Sequence, residues 1–466
     1  MSLLKRKPSR IAGVMAVLLC PVAWSATQPS NVPAGQVDPQ IAAALKDISA
    51  AQIQKNIETL VGFYTRQTLS SDVPGVGEKG INAAAEWIRN EFQNYSSQCG
   101  DCLEVKTDQF QQPPGPRIPQ ATTITNVYAV LRGTNAENAG RMYVVTGHYD
   151  SRNSDPLDAK GEAPGANDDA SGTAVSLECA RVLSKHRFPA TIIFLTVAGE
   201  EQGLFGSAHF AKLAKSVGWD IDAVLNNDIV GGDRTPGDAQ RDPHIVRVFS
   251  EGLSSTADEA ELHRVRSLGG ESDSPSRQLA RYVQDVAKEY LSGADFQAML
   301  IFRHDRYLRG GDHSSFNDQG YSAVRLTEFR ENFNHQHQNV RTEIGIEYGD
   351  LPKFVDYEYI ANVARLNAAT LATLASAPAP PVDVRLLTKA LTNDSTLEWK
   401  ASRGGLATGY EVLWRDTTAP DWEHFKDIGS VTQTTLPVSK DNVIFAVRAV
   451  DGKGHSSLPV VPQPER

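Results

Sequence analysis

Apolar residues fall into two patterns along this chain. Between residues 41 and 95 they recur at helical spacing, as in INAAAEWIRNEF, where Ile81, Ala84, Ala85, Ile88 and Phe92 share one face; the period predicts amphipathic helices. Further on, NVYAVLRG (126–133), RMYVVTG (141–147), TIIFLTVAG (191–199) and DAVLNND (222–228) are near-continuous apolar runs. Helical segments such as SGTAVSLECARVLSKH separate them, and the alternation predicts a mixed, largely parallel sheet with helices on both faces. A helix, RQLARYVQDVAKEYL, a last strand, SAVRLTE, and a closing helix, EYIANVARLNAATLATLA, complete a three-layer α/β sandwich over residues 41–375.

The pattern then changes. ASAPAPPV (375–382) is Pro-rich and reads as a linker over 376–382. Beyond it, STLEWKAS, GYEVLWRD, TTLPV and NVIFAVRAV alternate apolar and polar residues between Gly, Asp, Asn and Pro turns, which predicts a small all-β sandwich over 383–466. A chain of 466 residues, 40% apolar and 22% charged, is long enough for two such units.

The amino-terminal end has a different logic. Lys5, Arg6, Lys7 and Arg10 precede the apolar run IAGVMAVLLCPVAW and the small residues Ser25 and Ala26, the order of a secretory signal peptide over residues 1–26. The run is broken by Pro21 and is shorter than the ~20 residues of a membrane span. A secreted protein, extracellular or periplasmic and without stable membrane insertion, is expected, with residues 27–40 as a flexible leader rich in Pro, Gln, Ser and Ala. Cleavage removes four positive charges from a formal net charge of −10, leaving −14. Such an acidic chain without basic clusters argues against nucleic acid as a partner.

Export also colours the cysteines. Cys99 and Cys102 lie in SSQCGDCLEV with no second CxxC and no His pair at zinc-finger spacing, so a small-loop disulfide is expected. Cys179 shares a helical face with Val175, Val182 and Leu183 and reads as a buried thiol.

Candidate chemistry sits where the strands end. GHYDS puts His148 and Asp150 after VVT, GANDDASG puts Asp168 before a helix, AGEEQG puts Glu200 and Glu201 after IIFLTV, and NND puts Asp228 after AVL. Open α/β sheets bind ligands beyond the carboxyl ends of their strands, so these four segments converge on one crevice. Carboxylates crowded together repel and take up protons unless cations neutralise them. One or two divalent metals meet that need, and the histidines favour zinc over calcium or magnesium. Asp150 is placed to receive the second ring N–H of His148. Adjacent glutamates cannot point the same way, so one of Glu200 and Glu201 binds metal while the other handles protons. Singly, HxD, EE or NND mean surface charge or a helix cap in most proteins; together and in order they do not.

GHYDSR, APGANDDASG, AGEEQGLFGS, LNNDIVGG and GGDHSSF, with a late His, resemble the secreted bacterial leucyl-aminopeptidase family of co-catalytic zinc exopeptidases over residues 41–375. The resemblance implies two zinc ions per chain and the zinc exopeptidase fold. His148 and Asp228 would hold one ion, Glu201 and the late His the other, and Asp168 would bridge them. Glu200 would be the catalytic base, Asn167 and Asp169 would flank the bridge, Asp150 would support His148, and Asp312 and His313 would shape the pocket. ENFNHQHQNVRTE offers His335 and His337, and family spacing favours His337; Gln336 stands where relatives often carry an aromatic residue. His186, His209, His244 and His263 read as surface residues. The implied substrates are peptides or proteins with a free amino terminus. An aminoacylase, a carboxypeptidase, a glutaminyl cyclase or a non-catalytic binding protein can share the scaffold. Trp399, the Tyr410–Trp414 strand and NVIFAVRAVDGKGHSSLP resemble a fibronectin type III module.

Overall fold

The structure is a computed structural model that describes residues 37–72 and 79–465. The proposed signal peptide and most of the leader lie outside the described residues. Helix α1 (Pro39–Ala44) begins inside the segment read as leader, with the Asp38 side chain accepting from Gln40 N at its start. Helices α2 (Ala50–Gly62) and α3 (Gly80–Gln98) follow, and their apolar faces are buried, Ile53, Ile57 and Leu60 on one and Ile81, Ala84, Ile88 and Phe92 on the other. The disulfide Cys99–Cys102 closes the turn after α3, and Cys179 is a buried free thiol.

The main sheet contains β1 (Leu103–Gln112), β2 (Thr122–Leu131), β3 (Arg141–His148), β4 (Thr191–Val197), β5 (Asp220–Asn227), β6 (Ile245–Ser250), β7 (Gln297–Ile301) and β8 (Ala323–Glu328). Their order is β1-β2-β4-β3-β5-β8-β6-β7. β4, β3, β5 and β8 run parallel at the centre, while β2 and β6 run antiparallel to their inner neighbours. Every residue of β3, β4 and β8 is buried, which is why these strands show unbroken apolar runs instead of alternation. β1 alternates, with one face in water.

Side chains alternate between two layers. Tyr143, Val145, Ile192 and Phe194 join α4 (Ala170–Leu183), α8 (Pro275–Tyr290) and α10 (Tyr357–Ser376) in one core. Met142, Val144, Ile193 and Leu195 meet Phe210 of α6 (Phe205–Ser216) and Phe316 of α9 (Asp312–Asn317) in the other. The short α5 (Glu200–Gly203), the exposed α7 (Glu259–Leu268) and a hairpin of β9 (Arg341–Glu343) and β10 (Ile346–Tyr348) complete this part.

Residues 382–465 form seven strands: β11 (Val382–Leu387), β12 (Ser395–Lys400), β13 (Gly409–Asp416), β14 (His424–Gly429), β15 (Gln433–Leu436), β16 (Val443–Val450) and β17 (Gln463–Glu465). They make sheets β15-β12-β11-β17 and β14-β13-β16, which share a core of Val384, Leu397, Trp399, Tyr410, Val412, Phe445 and Val447. The preceding Pro-rich segment is packed down: Ala377 and Ala379 are buried, and Arg141 Nη1 donates to Ala377 O at 3.1 Å. The sandwich docks on α8 and the turn before it: Arg415 Nη2 lies 2.8 Å from both carboxylate oxygens of Asp273 in that turn, and Trp422 Nε1 donates to Gln278 of α8 at 3.2 Å.

Candidate metal centre

The parallel strands deliver their last residues to one edge of the sheet. His148 ends β3, Glu200 and Glu201 start α5 after the left-handed Gly199, and Asp228 follows β5. Asp168 precedes α4, and the Asp168–Asp169 peptide is cis. The start of α4 fits tightly between β3 and β5 because two glycines allow it. A Cβ on Gly172 would lie 2.1 Å from Asn227 O, and one on Gly147 would lie 2.4 Å from Gly172 C.

Two clusters of ligand atoms result, His148 with Glu200 and Asp228, and Asp168 with Glu201 and His337. Asp168 faces both: its Oδ1 is 3.2 Å from His148 Nε2 and its Oδ2 is 2.9 Å from His337 Nε2. Glu201 Oε2 is 3.0 Å from His337 Nε2, and Asp228 Oδ1 is 3.9 Å from His148 Nε2. His337 holds this position from the left-handed region, at φ 53°, a conformation that non-glycine residues keep only where surroundings impose it. His335 points elsewhere. It meets Asp233 Oδ1 at 3.0 Å and stacks on Phe354 at 3.7 Å between ring centroids.

Supporting residues surround the clusters. His148 Nδ1 is 3.2 Å from Asp150 O and 3.4 Å from Asp150 Oδ1. Asp150 also accepts from Thr68 Oγ1 at 2.9 Å and from Glu201 N at 3.2 Å. Asp169 accepts from His148 N at 3.0 Å and caps α4 through Gly172 N. Asp312 and His313 are buried at the start of α9; His313 Nε2 is 3.0 Å from His304 O.

Desolvation disfavours the charged form across most of these carboxylates. Burial pushes Glu200 well above the usual carboxylate range, with Asp228, Glu201 and Asp312 adding to the shift and His148 opposing it. Burial likewise takes Asp312 and Asp350 up to about 7 and Glu328 up to about 8, and holds His313 down at about 4. Burial also opposes the charged form of Asp168, yet His337 and His148 hold it well below its ordinary value. Glu201 Oε1 is buried without a hydrogen-bond partner. Such an orphaned atom costs about 1–3 kcal/mol, and it belongs to one of the clusters. Imidazole nitrogens mixed with carboxylate oxygens suit zinc.

Residues 126–347 match Peptidase family M28. Over 94% of its length the chain is 44% identical to a probable zinc metalloprotease of Pyrenophora teres f. teres, covering 91% of that protein. It is 45% identical to a probable zinc metalloprotease of Leptosphaeria maculans, over 91% of the chain and 97% of the relative. The chain belongs to peptidase family M28. Its fold is that of the LapA aminopeptidase of Legionella pneumophila, with TM-score 0.51 and 20% identity over 75% of this chain and 78% of that one.

Several residues at this M28 centre carry no readable signal in isolation. Arg325, charged in the middle of SAVRLTE, is fully buried on β8 with Nη2 2.9 Å from Asp228 Oδ1 and Nη1 3.2 Å from Asp305 Oδ2; a lone Arg inside an apolar strand was the available hint. Asp350 accepts from the backbone N–H groups of Asn167 and Asp168 at 2.8 and 2.7 Å, and buried Arg66 donates to Tyr149 O, Pro164 O and Gly165 O. Both come from loops without periodicity. Of the histidines read as surface residues, His209 is partly exposed, meets Asp108 at 2.9 Å and stacks on Phe110.

Proposed function

We propose that this M28 metallopeptidase is an exported aminopeptidase that holds two zinc ions. The observation carrying the reading is Asp168, whose two carboxylate oxygens face His148 on one side and His337 on the other. One carboxylate shared by two ligand sets is the arrangement of a paired-metal site. His148 and Asp228 would hold one ion, Glu201 and His337 the other. Zinc, when bound there, acidifies water and polarises the scissile carbonyl.

This chain's own residues supply the rest. Glu200, half-buried at the start of α5 beside Glu201, takes a proton at its carboxylate and returns it to the leaving amine. Asp150 fixes the His148 ring, and Gln336 Nε2, 3.1 Å from Asp168 Oδ2, is a donor where relatives often carry an aromatic residue. A pocket of about 510 Å³ opens over Glu200 and His337, and its size suits a terminal residue. The Legionella fold neighbour described as an aminopeptidase supports the same specificity. Export is supported by the charged, apolar and small segments of residues 1–26 and by the Cys99–Cys102 disulfide. The fibronectin type III-like strand pattern of residues 383–466 accompanies the catalytic unit as a docked module.

The test is metal content by mass spectrometry together with hydrolysis of aminoacyl-nitroanilides before and after chelation. Two zinc ions per chain and activity lost on chelation and restored by zinc are expected. One ion per chain with conversion of amino-terminal glutamine would instead make the protein a cyclase, and activity only on acyl-blocked peptides would overturn the aminopeptidase assignment.

A further inference from the structure

Peptide hydrolysis at paired metals needs carboxylates and histidines; it does not need arginines. Yet four arginines, Arg117, Arg152, Arg306 and Arg309, line the pocket over the metal centre. Its only acidic lining residues are Asp168, Glu200, Glu201 and Asp228, all members of the two ligand clusters. Divalent cations held by those carboxylates cancel their charge, and the arginines then dominate the field inside a partly enclosed cleft, where charge acts more strongly than in open water. Apolar surface is scarce: of the pocket's lining residues only Leu204 and Phe333 are apolar side chains. A site selecting a leucine-like side chain would be walled by many more.

The arginines are not equally committed. Arg306 is bound through all three nitrogens, with Nε 3.0 Å from Asp305 Oδ1, Nη1 2.7 Å from Glu331 Oε2 and Nη2 3.3 Å from Gly310 O. Arg152 is engaged with Glu201 Oε2 at 2.9 Å and His337 Nδ1 at 2.6 Å. Arg117 contacts only a carbonyl, donating from Nη1 to Glu201 O at 2.8 Å, and forms no ion pair among the described residues. Arg309 is exposed and reaches Glu331 Oε2 at 3.3 Å and Gln336 Oε1 at 3.4 Å through one nitrogen, Nη1. A guanidinium carries five donors in a planar fork that matches a carboxylate. Arg117 and Arg309 therefore retain unused donors at the mouth of the site.

We infer that this pocket selects peptides carrying a carboxylate close to the scissile bond, received by Arg117 and Arg309. The inference rests on the aminopeptidase reading and narrows it. The carboxylate has three sources, the side chain of the first residue, the side chain of the second, or the free carboxyl terminus of a short peptide. Four substrates separate them: Leu-Gly-amide as the neutral reference, Glu-Gly-amide, Leu-Glu-amide and Leu-Gly.

The experiment measures kcat/KM of the zinc-loaded full chain on these four peptides at low and high salt. At least one acidic peptide should exceed Leu-Gly-amide by about tenfold, the scale of one charge-assisted contact. Salt should shrink that advantage, and Arg117→Gln and Arg309→Gln should each reduce it; both side chains are exposed, and unchanged thermal unfolding would show that the variants fold. Equal rates on all four peptides, or an advantage that survives in the double variant, would overturn the inference. Calorimetric binding of Leu-Glu-amide against Leu-Gln-amide to the Glu200→Gln enzyme separates the two readings. Tighter binding of the acidic peptide to that variant, with no cleavage of any substrate by the unmutated enzyme, upholds the selection and sinks the aminopeptidase; cleavage by the unmutated enzyme without preference does the reverse.

Discussion

Replacing Arg415 by Met should destabilise the whole chain, because it removes one side of a buried ion pair between the sandwich and Asp273 in the turn before α8. Arg415 is 1% exposed, and Nη2 lies 2.8 Å from both oxygens of Asp273. Its Nη1 also donates to Ala419 O at 2.6 Å. Breaking a buried pair from one side costs about 3–5 kcal/mol, since the remaining charge is left without compensation. Here Arg281 Nη1 stays 3.4 Å from Asp273 Oδ1 and partly neutralises it, which places the cost near the lower bound, about 3 kcal/mol. Met keeps the apolar stem, so lost packing contributes little. At roughly 2–4 °C per kcal/mol for a large domain, melting should fall by about 6–12 °C. Asp273→Asn should cost more, because it leaves Arg281 and Arg415 facing each other; Arg281 is already held at about 10 by burial, with Arg415 adding to the shift. Calorimetry, with Trp422 fluorescence reporting the interface, makes the measurement. An Arg415→Met protein that melts within about 1 °C of the parent would show that the sandwich is not energetically part of the catalytic unit.

Other outcomes are equally definite. His337→Ala should lower bound zinc to about one ion per chain, whereas His335→Ala should keep both and lose only its contacts with Asp233 and Phe354; mass spectrometry showing the reverse would transfer the ligand role. Glu200→Gln should keep both ions and lower kcat by about 10²–10⁴-fold, and undiminished turnover would remove it as the base. His455 bridges Asp451 and Asp38, and although burial opposes it these carboxylates raise its pKa above 6.5. The bridge therefore stabilises fully below pH 6.5 and fades as pH rises through the raised value; His455→Gln should remove that slope, and melting curves that stay parallel across this range would refute it. Gly172→Ala should cost about 1–3 kcal/mol, since its Cβ would meet Asn227 O at 2.1 Å and Asp169 Oδ2 at 2.5 Å; a variant as stable as the parent would show that α4 has room to move.

Strand ends were readable because each apolar run stops at a polar residue that has no place in a buried strand, as His148, Glu200 and Asp228 do. Helical period and strand length then set the layers, and the structure arranges β4, β3, β5 and β8 in parallel as those runs imply. The edges were less legible. β1 alternates and β6 and β7 are short, so turns and polar residues outweigh their apolar signal. The Pro-rich segment read as a linker, but buried Ala377 and Ala379 show that composition says nothing about what packs beside it.

By itself the sequence determined which residue types could bind metal and that His148, Glu200, Glu201 and Asp228 stand at the ends of apolar runs, because periodicity and side-chain type are local properties. Family spacing favours His337 over His335, and tertiary structure alone supplies the physical difference between them: a left-handed backbone at His337 turns its ring toward Asp168 while His335 stacks on Phe354. It alone brought Arg117 from one loop and Arg309 from another to the same pocket, and Arg325 beneath Asp228. Contacts between segments hundreds of residues apart leave no period in the chain, and so they become visible only once it is folded.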